Sequence, residues 1–159
     1  HLNSIVNFEN QKENQSMFLN IVTEPKILYH IGKICSKFTI KLELGIHCLY
    51  EYITILKASE NYDLCEYALT KKNKAIFWIG VIHIHQNQYS IAFNEFDKLI
   101  KYKDLYHSKK DYKMKYIFQI IDKFNSFYQT KYRQEKSLTG KALELIKLDK
   151  FQLQDLTKL

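Results

Sequence analysis

Glycine and proline are scarce in this chain, with four glycines and one proline among 159 residues. Tight turns draw on both residue types, and an all-β protein of this length needs many such turns. Long helices joined by short polar loops need far fewer. The aromatic share of 14% and the apolar share of 46% indicate a hydrophobic core rather than a disordered chain. The sequence therefore predicts an all-α protein.

Apolar residues recur at helical intervals in about seven segments, which we expect to pair as antiparallel helical hairpins. The predicted helices cover approximately residues 25–38, 41–58, 62–71, 75–86, 90–101, 112–132 and 137–148. A further tail helix is expected to turn Phe151, Leu153 and Leu156 inward. Residues 1–22 are mostly polar and unpatterned, which predicts a loosely ordered arm, and residues 23–159 are predicted to form a single helical domain.

The net charge of +7 suits an acidic protein surface or a nucleic acid as partner. Much of the positive charge lies between Lys101 and Lys136, a segment that contains ten basic and four acidic residues. A nucleic-acid or acidic-partner contact there would use basic residues interleaved with tyrosines. The simpler interpretation, which we favour, is a solvated helix face whose tyrosines pack inward. The candidate contact residues are Lys109, Lys110, Lys113, Lys115, Lys131 and Arg133.

Three cysteines stand among apolar residues without the C-x-x-C spacing of a metal or redox site. Cys35, Cys48 and Cys65 are therefore predicted to be buried free thiols, which suits a reducing compartment. No run of the sequence approaches the roughly 20 apolar residues of a membrane span. We expect an intracellular protein, cytoplasmic or nuclear, with no membrane partner.

His83 and His85 are close in sequence, yet a helix separates their directions by about 200°, so they cannot chelate one metal ion. No two glycines lie close enough to form a phosphate loop, and no nucleophile or zinc-hydrolase motif occurs. The prediction is a non-catalytic protein with no cofactor and no metal.

The segment from residue 76 to 99 resembles one tetratricopeptide (TPR) repeat, a helix–turn–helix unit of 34 residues. Ile79 and Gly80 stand where that family has Leu-Gly, and Asn87 stands at the turn. Ala92 and Phe96 reproduce its A-x-x-x-F. The small Gly80 and Ala92 would let two helices approach closely, and Asn87 tolerates a left-handed turn backbone.

The TPR resemblance implies a scaffold-like function, the binding of another protein or a peptide in a groove lined by the first helices of the hairpins. Carried over to this chain, the groove residues are Lys74, Phe77, Val81, Ile84 and His85. The two apolar anchors would be Phe77 and Ile84, and Lys74 with the basic segment would favour an acidic partner.

A second resemblance stays open. The order of helices over approximately residues 27–127 is similar to that of a cyclin box, a five-helix domain that docks on a kinase or a transcription factor. That resemblance implies a regulatory subunit instead of a repeat scaffold.

Overall fold

The computed structural model describes residues 25–58, 66–132 and 150–159, and every regular element in these ranges is helical. The all-α prediction is confirmed. The elements in chain order are α1 (Pro25–Phe38), α2 (Leu42–Lys57), α3 (Glu66–His85), α4 (Tyr89–Ile100), α5 (Lys103–His107), α6 (Tyr112–Phe127), a π-helical turn (Tyr128–Tyr132) and a 3-10 turn (Leu156–Lys158). The predicted arm at 1–22 and helix at 137–148 lie outside the described residues, as do Cys65 and Arg133.

Three details of the predicted helices are wrong. The sequence predicts a gap between two helices at residues 72–74, but α3 continues through it without interruption. The gap contains two lysines and an asparagine and neither glycine nor proline, so helix propensity supports continuation. Residues 102–111, between two predicted helices, contain the short helix α5, which is fixed by Tyr106, a ring only 2% exposed. The predicted tail helix is reduced to the 3-10 turn.

Contacts divide the chain into two compact units, with the division between Ile82 and His83. The single domain expected over residues 23–159 stays a prediction. We refer to the described residues up to Ile82 as the first unit and to those from His83 onward as the second unit.

The first unit is built on an α1–α2 hairpin in which two glycines allow close packing. A Cβ on Gly32 would overlap Leu49 Cγ, and a Cβ on Gly45 would lie 2.8 Å from Cys35 Cβ. The turn between the helices holds Thr39 in left-handed backbone (φ 54°), and the Ile40 amide donates to the Cys35 carbonyl at 3.0 Å. This bond closes the end of α1 in the way common to helix C-termini.

Trp78 joins α3 to α1 inside the first unit. Its indole Nε1 donates to the Tyr29 hydroxyl at 3.3 Å, and its carbonyl accepts from Ser36 Oγ at 3.1 Å. Both Ser36 and Trp78 are buried, so these bonds satisfy polar groups that would otherwise be costly to enclose.

The second unit has an aromatic core around Phe124 of α6. Phe96 and Phe151 lie edge-on to it, with ring centroids 5.4 and 5.2 Å away. The C-terminal segment is held further by the Phe151 amide, which donates to the Tyr89 hydroxyl at 3.3 Å, and by the Tyr116 hydroxyl, which donates to the Asp155 carbonyl at 2.7 Å.

Candidate functional site

The groove residues predicted from the TPR resemblance are not all at the surface. Phe77 and Val81 are completely buried, and Ile84 is 4% exposed. A side chain already enclosed in the fold has no apolar area left to bury against a partner, so these three residues are core residues rather than exposed anchors. Lys74 and His85 are partly exposed.

The turn at residues 86–88 supports the expected role of Asn87. Its φ is 58°, the left-handed conformation predicted for it. Just before the turn, the buried His83 donates from Nδ1 to Gln88 Oε1 at 2.8 Å, since an amide oxygen can only accept. His83 therefore closes the turn. Gly80 and Ala92 are both buried, and their proposed mutual contact stays a prediction.

The predicted basic residues do not form one patch. Lys113 and Lys131 are separated by roughly 27 Å of helix, at 1.5 Å per residue. Lys110, Lys113 and Lys131 are exposed and Lys109 is half-buried. Lys115 has a different environment, because it lines a cleft.

That cleft lies between α5 and α6 in the second unit and has a volume of about 280 Å³. Tyr106 and Phe118 form its apolar base, with ring centroids 6.1 Å apart. The polar lining residues are Lys103, His107, Lys115, Gln119 and Asp122.

Burial of Tyr106 in α5 and an N-terminal cap on α6 position the side chains of the cleft. Tyr106 anchors α5 in the core, which places Lys103 and His107 at the rim. Asp111 caps α6 by accepting from the Met114 amide at 3.1 Å, and the helix then presents Lys115, Phe118 and Asp122 at steps of three and four residues.

The charges of the α5–α6 cleft are mainly positive. Lys103 Nζ lies 2.7 Å from Asp122 Oδ2, and the Lys115 ammonium lies 5.8 Å from the centroid of the exposed Tyr112 ring. Two ammonium groups and one carboxylate thus line the cleft, together with the imidazole of His107. Such a cleft can hold a carboxylate-bearing side chain with its methylene groups on the aromatic base.

Sequence reasoning missed Lys103, His107, Gln119 and Asp122. A signal exists in "KDLYH", because Tyr106 is an apolar anchor between the predicted helices at 90–101 and 112–132. The pairing of this run with α6 depends on tertiary contacts, which local periodicity does not contain.

Among residues 25–58, 66–132 and 150–159, no group of three or more His, Cys, Asp or Glu side chains is placed to hold a metal ion. Within the same ranges, none of the helices has the length and apolar character needed to cross a bilayer.

Comparisons with family models, with curated proteins and with solved structures find no match to this chain. The TPR and cyclin-box resemblances therefore stay predictions.

Proposed function

We propose that this chain is a non-catalytic helical module that binds another protein, and that the α5–α6 cleft takes acidic side chains of a partner peptide. The observation that carries the proposal is the cleft itself, in which Lys103, His107 and Lys115 surround an aromatic base. Opposite charges steer association and fix the register of a partner, and the rings offer area for its apolar atoms. The TPR resemblance supports the same class of function.

The size of the α5–α6 cleft favours side chains over a large cofactor. At about 280 Å³ it lies just below the range of roughly 300–1,000 Å³ typical of small-molecule pockets. One or two side chains of a peptide fit such a volume, while the rest of the peptide would lie over the neighbouring surface. Leu105 on α5 and Tyr112 at the start of α6, 36% and 76% exposed, provide apolar area on the two helices that form the cleft.

The ion pair in the cleft leaves Lys103 available to a partner at little cost. The side chains of Lys103 and Asp122 are 46% and 47% exposed. An ion pair so open to water contributes only about 0–1 kcal/mol. The Lys103 ammonium can therefore turn to an incoming carboxylate without leaving a buried charge unpaired.

The test is a binding titration of the full chain with a fluorescent peptide in which Glu and Leu alternate, and with its Gln–Leu counterpart. The double variant K103E/K115E should weaken binding of the acidic peptide by at least about tenfold, because two attractive charges become repulsive. The matched control K110E/K113E changes the net charge equally on exposed lysines outside the cleft, and it should retain most of the affinity.

Equal losses in both double variants would show that binding follows net charge alone and would contradict the proposal. So would equal affinity for the Gln–Leu peptide, because the lysines would then recognise no carboxylate.

A further inference from the structure

The first unit carries a second basic surface, separate from the α5–α6 cleft. Two series of side chains with spacing i, i+4, i+7 form it, and such spacing places each series along one side of its helix. The series on α1 is Lys26, His30 and Lys33, and the series on α3 is Tyr67, Lys71 and Lys74. We call these six residues the α1–α3 face.

Contacts beneath the two series join their helices. The Lys33 ammonium from α1 lies 5.9 Å from the centroid of the Trp78 ring, which is one turn beyond Lys74 on α3. Trp78 bonds to Tyr29, whose ring packs edge-on against His30 with centroids 5.6 Å apart. The two helices therefore pack against each other beneath the two series, and Lys71 on α3 lies near enough to His30 on α1 for its charge to act on the imidazole.

Within the described ranges 25–58, 66–132 and 150–159, the charges that shift the pKa of His30 are those of three lysines. Partial burial lowers the pKa of His30, and the neighbouring charges of Lys33, Lys26 and Lys71 lower it further. Lys26 and His30 are exposed, and Lys33 and Lys71 are half-buried. Positive charge is thus concentrated where solvent and ligands reach it.

An exposed aromatic ring stands beside these charges. Tyr67 is 70% exposed, and the Lys71 ammonium lies 5.1 Å from the centroid of its ring. A surface for single-stranded nucleic acid needs two components, lysine side chains and an accessible aromatic ring. The ammonium groups neutralise phosphates, and the ring stacks on a base.

We propose that the α1–α3 face binds single-stranded nucleic acid, with Lys26, Lys33 and Lys71 on the phosphates and Tyr67 stacked on an unpaired base. Lys26 and Lys33 are about 10 Å apart along the axis of α1, so the charges form a line that suits a chain of phosphates rather than one carboxylate. A duplex keeps its bases stacked inside, so Tyr67 could not contribute there. This activity lies beyond the proposed protein binding and depends on different residues.

The test uses the full chain and a fluorescein-labelled oligothymidylate of about twelve nucleotides, within the usual site size of single-strand binders. Fluorescence anisotropy at about 50 mM salt should show binding that falls steeply at higher salt, as phosphate neutralisation requires. The double variant K26A/K71A should weaken this binding by about tenfold, and the matched double variant K110A/K113A, which removes the same charge from the second unit, should change it by less than about threefold.

The role of the ring is tested separately. Tyr67→Ala should weaken binding by at least about fivefold, and Tyr67→Phe should retain it, because stacking needs the ring and not the hydroxyl. In the unchanged protein, the oligonucleotide should raise the pKa of His30, followed by NMR, since phosphates offset the surrounding ammonium charges. Circular dichroism verifies that each variant is folded.

Four results would overturn the proposal: no binding at low salt, equal losses in the two double variants, an unchanged affinity in Tyr67→Ala, or a duplex of the same length bound as tightly as the single strand. An unchanged His30 pKa on saturation would place the ligand elsewhere and would also contradict it.

Discussion

Cys35 and Cys48 are free thiols enclosed in the first unit, 2% and 0% exposed, as the sequence predicted for them. Burial raises the pKa of the Cys48 thiol to about 12, and nearby Cys35 and Glu51 add to the effect. Burial likewise raises the pKa of the neighbouring Tyr52 to about 12. A thiol with such a pKa is protonated at neutral pH and is a poor nucleophile.

This burial predicts a loss of stability in alkali. In the unfolded chain, Cys48 should ionise near its usual 9.0, whereas in the folded chain it keeps its proton up to about 12. The unfolded state therefore releases the proton first. The contribution to stability is complete below pH 9 and declines as pH rises toward 12, by up to about 1.4 kcal/mol per pH unit.

Urea unfolding of the full chain at about pH 8, 9 and 10 measures this slope. Cys48→Ala should show a shallower decline than the unchanged protein, whatever its stability at neutral pH. Identical slopes in the two proteins would mean that ionisation of Cys48 does not cause the loss of stability at high pH.

Among the helical elements, sequence periodicity was sufficient to predict a helix where an apolar stripe faces the core, as in α1, α2 and α6. Periodicity was insufficient for α3, where it predicts a gap at residues 72–74, and for α5, a single short helix. The close contact of α1 with α2 was also missed. Gly32 and Gly45 look like ordinary helical glycines, because the side chains that require their small size come from other parts of the chain.

The α1–α2 contact predicts the effect of a single methyl group. In Gly32→Ala the new Cβ would overlap Leu49 Cγ and lie 2.6 Å from its Cδ2, and Leu49 is fully buried. The free energy of unfolding should fall by about 1–3 kcal/mol, although alanine is the better helix former.

Leu49→Ala provides the matched comparison. Alone it should cost about 2–5 kcal/mol through the cavity it creates. In the double variant Gly32→Ala/Leu49→Ala the new methyl group enters that cavity, so the combined loss should be smaller than the sum of the single losses. Additive losses in urea titrations would refute the steric explanation.

For the molecule as a whole, composition and periodicity were enough to predict an all-α, basic protein, and not enough to locate its candidate binding surface. The two apolar anchors of the predicted groove, Phe77 and Ile84, belong to the core. The α5–α6 cleft depends on the position of Tyr106 in the tertiary structure, and only one of its polar lining residues, Lys115, was predicted from the sequence. A surface formed by two helices depends on how they pack together, whereas the hydrophobic pattern of one helix shows only which of its own sides faces the core.

The proposed function is tested most directly by locating the bound peptide on the isotopically labelled chain. Amide chemical shifts are recorded by NMR while the Glu–Leu peptide is added to saturation. The account predicts that the largest changes fall in α5 and in the part of α6 from Lys115 to Asp122. Largest changes in any other part of the chain, or no changes at saturating peptide, would contradict the assignment of the α5–α6 cleft as the partner-binding site.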